Sequence, residues 1–198
     1  MNKKIIINQW EEIYNNASIS HKNKYPHTDI VSFIMKNFGN VEDRSKVRIL
    51  ELGCGWGNNL SFLQNEGFNY YGIDFAKPAI DHCRSFFSNV LCGDMSCMPY
   101  EDDYFECIFD RMSIQHNTKE DIELTFNEVF RTLKPGGKFF SITTSKANYN
   151  LYTTYLSKER LQLMLSKHTN QIKIIEVLKR DMEKVISKLN IVIAKKPY

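Results

Sequence analysis

One segment of fifteen residues, ILELGCGWGNNLSFL (49–63), restricts the fold of this chain more than any other. It joins an apolar run, Val47 to Leu52, which we predict as a strand, to a predicted helix from Leu60 to Gly67. Between them, glycine occupies every second position. Glycines let the backbone approach a ligand closely, and the helix start offers free amide groups. The segment therefore predicts a strand, a nucleotide-binding loop and a helix.

Strands and helices alternate along the chain after this segment. Further strands are predicted at Tyr70–Ile73, Val90–Cys92, Tyr104–Phe109 and Lys138–Thr143, and helices at Pro78–Phe87 and Asp121–Leu133. Such alternation is typical of parallel βαβ units. A helix at Ser157–Lys167 is followed by apolar runs at Ile172–Val177 and Ile191–Ala194. With no strong helix pattern between them, these runs predict an antiparallel hairpin at one sheet edge.

Composition argues against several classes of protein. Of 198 residues, 42% are hydrophobic, and no apolar run approaches the roughly 20 residues needed to cross a bilayer. We find no export signal, so we expect a soluble, cytoplasmic protein without a membrane partner. The five cysteines have no zinc-site spacing, which predicts reduced thiols and no metal. The net charge of +3 is spread along the chain, which disfavours nucleic acid as a partner.

An acidic residue at the end of the second predicted strand supports the interpretation of the glycine loop. Asp74 follows Gly53 at about the 20-residue spacing at which an acid accepts hydrogen bonds from ribose hydroxyls. The loop itself is GxGxG rather than the GxGxxG of dinucleotide-binding proteins. This difference argues against a nicotinamide cofactor.

Four motifs occur in order over about Val47 to Thr143. They are ExGxGxG, an Asp ending the second strand, GDM after the third strand and LKPGG before the fifth. In this combination the chain resembles the class I S-adenosylmethionine-dependent methyltransferases. The resemblance implies an enzyme with an α/β, Rossmann-like, mostly parallel seven-stranded sheet, with helices on both faces. The cofactor would be S-adenosylmethionine and its product S-adenosylhomocysteine.

The resemblance also implies roles for individual residues. Glu51 and the loop residues Gly53, Cys54 and Gly55 would hold the methionine part, and Asp74 the ribose. Phe75 would pack on the adenine, and Asp94 and Met95 would contact its edge. Trp10 and Tyr14 would form an N-terminal lid. Simpler alternatives remain open: a core aromatic for Phe75, a turn cap for Asp94, and plain helix packing for Trp10 and Tyr14.

Two side chains after the fourth strand are candidates for charge and proton chemistry. Arg111 comes where ligands of open α/β sheets sit, and it is a candidate to pair with the cofactor carboxylate; a solvated surface arginine is the alternative. His116 is the candidate catalytic residue, as general base for a hydroxyl acceptor. A structural histidine is the alternative.

The acceptor site is less defined than the cofactor site. Candidates to line it are Tyr149, Tyr152 and Tyr155 of the segment 147–155, together with His21, Tyr25 and His27. The residues Asp110 to Ser113 lack the Pro-Pro-aromatic pattern of enzymes that methylate base amines, and no Pro-Cys pair occurs. We therefore expect O- or N-methylation of a polar small molecule, such as a sugar or glycan precursor.

Two alternatives of other classes remain, an RNA or ribosomal-protein methyltransferase and a non-catalytic cofactor-binding subunit. We expect one domain, as a monomer or homodimer. It would comprise an N-terminal helical cap (1–45), a cofactor-binding core (46–145) and an acceptor-side segment with the last strands (146–198).

Overall fold

The computed structural model describes residues 2–17, 24–147, 153–181 and 184–198. His21, Tyr149 and Tyr152, which the sequence analysis named as acceptor-site candidates, lie outside the described residues. The helices are α1 (Lys3–Asn16), α2 (Thr28–Phe38), α3 (Asn58–Asn65), α4 (Lys77–Cys83), α5 (Lys119–Thr132) and α6 (Lys158–Leu165). The strands are β1 (Arg48–Leu52), β2 (Asn69–Asp74), β3 (Val90–Cys92), β4 (Phe105–Arg111), β5 (Leu133–Ala147), β6 (Ile172–Asp181) and β7 (Lys184–Lys195).

The seven strands form one sheet in the order β3-β2-β1-β4-β5-β7-β6. Strands β1 to β5 run parallel, with Ile49 of β1 opposite Tyr70 of β2 and Cys107 of β4. Strand β7 is antiparallel to both β5 and β6. The predicted α/β sheet with an antiparallel edge hairpin is confirmed. The strand order reverses at β1, and this reversal is where open α/β sheets bind ligands.

Each face of the sheet has its own hydrophobic core. Helices α2, α3 and α4 pack on one face against side chains such as Ile49 and Phe140. Helices α5 and α6 pack on the other face against Leu50 and Phe139. Adjacent residues of one strand thus enter opposite cores, because successive side chains of a strand alternate between faces. The near-continuous apolar runs follow from burial on both sides.

Local side-chain bonds mark where helices α5 and α6 begin. The Thr118 side chain accepts a hydrogen bond from the Asp121 amide at the start of α5, and Ser157 caps α6 in the same way. Helix α4 ends at Cys83 and not at Phe87 as predicted, because the amides of Ser85 and Phe86 donate to carbonyls three residues back.

Strand β5 begins five residues earlier than predicted. Leu133 pairs with Phe105 of β4, and the register shifts before the regular pairing that begins with Lys138 and Cys107. The shift accommodates the Pro-Gly-Gly segment within the strand. Among the described residues, no helix combines the length and the apolar character that crossing a bilayer requires.

Candidate functional site

The glycine loop after β1 is shaped by positions where no side chain fits. Gly53 and Gly57 both have left-handed backbone conformations, with φ of 67° and 76°. A Cβ atom on Gly53 would lie 2.2 Å from Cβ of Ser113, and one on Gly57 would lie 2.5 Å from the ring of Phe87. Both positions therefore require glycine, because any other residue would strain the left-handed backbone and its Cβ would clash with a neighbouring side chain.

The carboxylate of Asp74 ties the end of β2 to this loop. Its Oδ2 accepts a hydrogen bond from the amide of Gly55 at 3.0 Å, and its Oδ1 accepts one from the amide of Ala76 at 2.9 Å. Burial raises the pKa of Asp74 to about 6, although both backbone bonds favour the charged form. Asp74 is thus a buried acid whose position is fixed by the backbone on two sides.

Glu51 lies in β1 and is 3% exposed. Its Oε1 accepts a hydrogen bond from Nδ2 of Asn59 at 2.6 Å. Its Oε2 is buried and has no hydrogen-bond partner among the described residues. Burial raises the pKa of Glu51 well above its ordinary value. A buried carboxylate oxygen without a donor is costly, and a cationic group of a ligand would satisfy it.

A cavity of about 110 Å³ lies at the carboxyl ends of β1, β2 and β4. It is lined by Trp10, Tyr14, Gly53, Asp74, Phe75, Met95, Arg111, Met112, Ser113 and His116. Seven of the predicted cofactor residues and the predicted catalytic residue thus meet around one space. Ligand pockets usually measure roughly 300–1,000 Å³, so binding a ligand the size of a nucleoside requires this cavity to widen.

Two aromatic side chains of α1 form one wall of the cavity. Trp10 meets the ring of His116 edge-on, with centroids 4.9 Å apart. Tyr14 meets Trp56 of the glycine loop edge-on at the same centroid distance. The helix therefore contacts both the loop after β1 and the turn after β4.

Arg111 ends β4 and reaches the cavity. Its Nε lies 3.5 Å from Oδ2 of Asp29 in α2, and its side chain is 30% exposed. The same Nε is buried and makes no hydrogen bond within the described part of the chain. Burial and the charge of Arg111 lower the pKa of His27. Arg111 is therefore a partly buried cation at the mouth of the site.

His116 is the last residue of a short 3-10 turn, Ile114–His116, and is 7% exposed. Its Nδ1 lies 3.3 Å from the hydroxyl oxygen of Thr153, and its Nε2 lies 3.4 Å from the amide nitrogen of Gln115. These contacts are long and are made by side chains. The ring thus lies at the cavity, in contact with side chains on both of its nitrogens.

A buried acid that the sequence analysis did not propose as a site residue holds this turn. Oδ1 of Asp110 accepts hydrogen bonds from the amides of Ser113 and Ile114 and from the Ser113 hydroxyl. Its Oδ2 accepts one from the hydroxyl of Ser141 at 2.7 Å. Burial raises the pKa of Asp110, and these four donors oppose that effect. Asp110 thereby fixes the path of the chain that leads to His116.

Sequence comparison places this geometry in a family. A family model described as a methyltransferase domain matches residues 49–137. A fatty-acid O-methyltransferase of Mycolicibacterium smegmatis is 30% identical over 154 residues, which cover 74% of this chain and 53% of that protein. Together with the motifs and the sheet, these matches support a class I S-adenosylmethionine-dependent methyltransferase. The chain spans about half the length of this relative.

Solved methyltransferase structures share the fold. The phosphoethanolamine N-methyltransferase 2 of Haemonchus contortus, in complex with S-adenosylmethionine, matches with a TM-score of 0.69 at 18% identity, covering 97% of this chain and 57% of that one. A putative methyltransferase of Haloferax volcanii, in complex with its Trm112 activator, also gives 0.69 at 15% identity, covering 100% and 98%. At these identities the likeness supports the fold. The family match, rather than these structures, is what supports S-adenosylmethionine as the cofactor.

The structure places the two residues predicted to contact the adenine edge differently. Met95 lines the cavity, whereas Asp94 does not. Oδ1 of Asp94 accepts hydrogen bonds from the amide and hydroxyl of Ser96, and its Oδ2 forms an ion pair with Lys3 of α1. The carboxylate that the family motif assigns to adenine is thus engaged with a turn and with α1.

The other predicted residues lie around the cavity rather than in its wall. Cys54, within the glycine loop, is buried and does not line the cavity. Tyr25 is 79% exposed, and its carbonyl accepts a hydrogen bond from Asn58 at the start of α3. His27 contacts Asn58 through its ring. Tyr155 is 43% exposed. The described acceptor candidates thus do not meet at one point.

Proposed function

We propose that Glu51 and the glycine loop hold the methionine part of S-adenosylmethionine. The observation that carries this proposal is the buried, partnerless Oε2 of Glu51. The ammonium of the cofactor is the cation that satisfies it, and the Cβ-free backbone at Gly53 admits the chain. Arg111 pairs with the cofactor carboxylate, since its buried Nε has room for another acceptor. The charges of Glu51 and Arg111 therefore match the ammonium and the carboxylate of the cofactor.

The nucleoside part follows from the remaining lining. Asp74 accepts hydrogen bonds from the ribose hydroxyls, Phe75 packs on the adenine, and Met95 contacts its edge. Both carboxylate oxygens of Asp94 already have partners, so the turn that contains Asp94, rather than its carboxylate, is proposed to contact the adenine. Trp10 and Tyr14 of α1 close the site over the cofactor. When bound, the cofactor supplies a methyl group on a positively charged sulfur.

We infer that the acceptor is a polar small molecule with a hydroxyl or amine, such as a sugar or glycan precursor. His116 acts as the general base, because it lines the same cavity as the cofactor residues and ends the turn held by Asp110. Its role is to accept the proton that a hydroxyl loses as it takes up the methyl group. Tyr25 and the tyrosines at 149 and 152 are proposed to contact the acceptor.

The test is a pair of variants, His116→Gln and His168→Gln. Loss of a general base lowers turnover with hydroxyl acceptors about 10²–10⁴-fold, while the affinity for S-adenosylmethionine stays unchanged. His168 is the matched control, since it stacks on Phe130 in another region of the fold. Mass spectrometry over a panel of sugar and amine acceptors measures turnover. Equal loss of turnover and cofactor affinity in His116→Gln would make the residue structural.

A carboxylate acceptor is the second candidate function. The similar enzyme of Mycolicibacterium smegmatis is a fatty-acid O-methyltransferase, and Trp10, Phe75, Met95 and Met112 give the cavity an apolar part. A carboxylate is already deprotonated, so it needs no base. Turnover of fatty acids that survives in His116→Gln would therefore favour this candidate over a hydroxyl acceptor.

We place this activity in the cytoplasm, in a single domain that acts as a monomer or homodimer. Small molecules rather than RNA are the proposed acceptors because the positive charges are spread along the chain. A steep fall of acceptor binding with salt concentration would instead favour RNA.

A further inference from the structure

Asn59, in the first turn of α3, makes a buried side-chain hydrogen bond with Glu51. Asn59 is 1% exposed. Its Nδ2 donates to Oε1 of Glu51, and its Oδ1 accepts a hydrogen bond from the backbone amide of His27 at 2.9 Å. Both ends of the amide are thus used, and their roles cannot be exchanged without losing both bonds.

This bond leaves one defined oxygen of Glu51 for a ligand. With Oε1 bound to Asn59, the carboxylate cannot rotate freely, and Oε2 stays without a donor among the described residues. Glu51 does not itself line the cavity, but Gly53, two residues further along the chain, does. The open oxygen therefore belongs to the neighbourhood of the cofactor.

We propose that Asn59 is a positioning residue for cofactor binding, which holds the Glu51 carboxylate so that Oε2 receives the ammonium of S-adenosylmethionine. This inference rests on the assignment of Glu51 proposed above. Asn59 itself does not contact the cofactor. It acts through Glu51, and it also ties the start of α3 to the residue before α2 through His27.

The surroundings of Glu51 explain why the bond matters. Burial raises the pKa of this carboxylate, and Cys83 of α4, Asp110 of β4 and Asp74 of β2 raise it further. The hydrogen bond from Asn59 lowers it. Removing the donor therefore makes Glu51 easier to protonate, and a protonated Glu51 has no charge for the ammonium.

The experiment compares two ligands that differ only at the methionine end. S-Adenosylhomocysteine carries the ammonium, whereas 5′-methylthioadenosine lacks the whole amino-acid part. Calorimetric affinities are measured between about pH 6 and about pH 8.5 for wild type, Asn59→Leu and Asn59→Asp. The aspartate retains an acceptor for the amide of His27, but it replaces the donor to Glu51 with a second carboxyl group, which disfavours the charged form of Glu51. Asn58→Leu is the matched control in the same turn, because Asn58 contacts Tyr25 and His27 instead.

We expect both Asn59 variants to bind S-adenosylhomocysteine about 10- to 100-fold more weakly and 5′-methylthioadenosine within about threefold of wild type. The pH below which S-adenosylhomocysteine affinity falls should move upward. Equal weakening of both ligands would overturn the proposal, because it would indicate general damage. Wild-type affinity and an unmoved pH profile would overturn it as well.

Glu51→Gln separates this proposal from the function on which it rests. If Glu51→Gln binds S-adenosylhomocysteine like wild type, the assignment of Glu51 is wrong. If Glu51→Gln weakens this ligand while Asn59→Asp does not, only the role of Asn59 is wrong.

Discussion

The proposed cofactor end and the proposed acceptor end of the cleft hold their polar groups in different ways. Asp74 is bound by two backbone amides at 2.9 and 3.0 Å. His116 is bound by side chains of Gln115 and Thr153 at 3.3 to 3.4 Å. Backbone donors are fixed by the strands and loops that carry them, whereas side-chain partners change with each substitution. On the proposed assignment, backbone amides therefore anchor the acid of the cofactor end, whereas side chains contact the histidine of the acceptor end.

The first and largest test of this comparison is Gly53→Ala. A methyl group there meets Ser113 and requires a left-handed backbone, so we expect the free energy of unfolding to fall by about 4 kcal/mol. Chemical denaturation measures this loss. The control is Gly67→Ala, since Gly67 also has positive φ, 77°, but nothing lies within 4 Å of an added Cβ. There we expect only about 1 kcal/mol. Equal losses would show that the close contact with Ser113 is not what requires glycine.

The second test uses pH and Asp74. The pKa of Asp74 is raised from 3.8 to about 6, so the folded protein keeps this proton to a higher pH than the unfolded chain does. The free energy of unfolding attributable to Asp74 therefore falls as pH rises through that window, by about 3 kcal/mol. Denaturation of wild type and Asp74→Asn at several pH values measures the difference.

Cofactor affinity should respond to the same proton in the opposite direction. Ionised Asp74 is the better acceptor for ribose hydroxyls, so binding weakens as pH falls below about 6. If wild type instead gained stability over Asp74→Asn as pH rose, the pKa of Asp74 would be lowered, and the backbone bonds would outweigh burial.

The third and smallest test is Lys3→Met. Lys3 forms ion pairs with Asp94 and with Asp121, the latter at 3.0 Å, and is 27% exposed. Its loss should weaken cofactor binding by about 0.5–1 kcal/mol, because α1 would cover the site less firmly. Lys4→Met is the control, since Lys4 forms no ion pair in the described part of the chain. An effect on acceptor turnover alone would assign α1 to the acceptor end.

The predictability of the two ends differs for physical reasons. The alternating strands and helices and the glycine positions follow from local pattern, because backbone geometry in the loop permits few residue types, whereas the strand order was not predicted. Asp94 shows the limit of such reasoning, since its partner Lys3 is 91 residues away in the sequence and nothing local signals the pairing.

Two residues of the site lacked a strong signal. Asp110 is an acidic residue near the end of the largely apolar strand β4. That position is the one sequence feature that points to its role. Asn59 is one of two adjacent asparagines, and only the fold shows that this one faces Glu51. The early start of β5 was not predictable either, because it depends on pairing with β4 across the sheet.

The position of β7 has a consequence for synthesis on the ribosome. Strand β7 lies between β5 and β6, although it follows both in sequence. As the nascent chain emerges, the edges of β5 and β6 that later pair with β7 stay unpaired until β7 is synthesised. Unpaired strand edges attract other chains, so this interval is the one in which chaperones have most to protect. The glycine loop after β1 is therefore synthesised well before the sheet that supports it is complete.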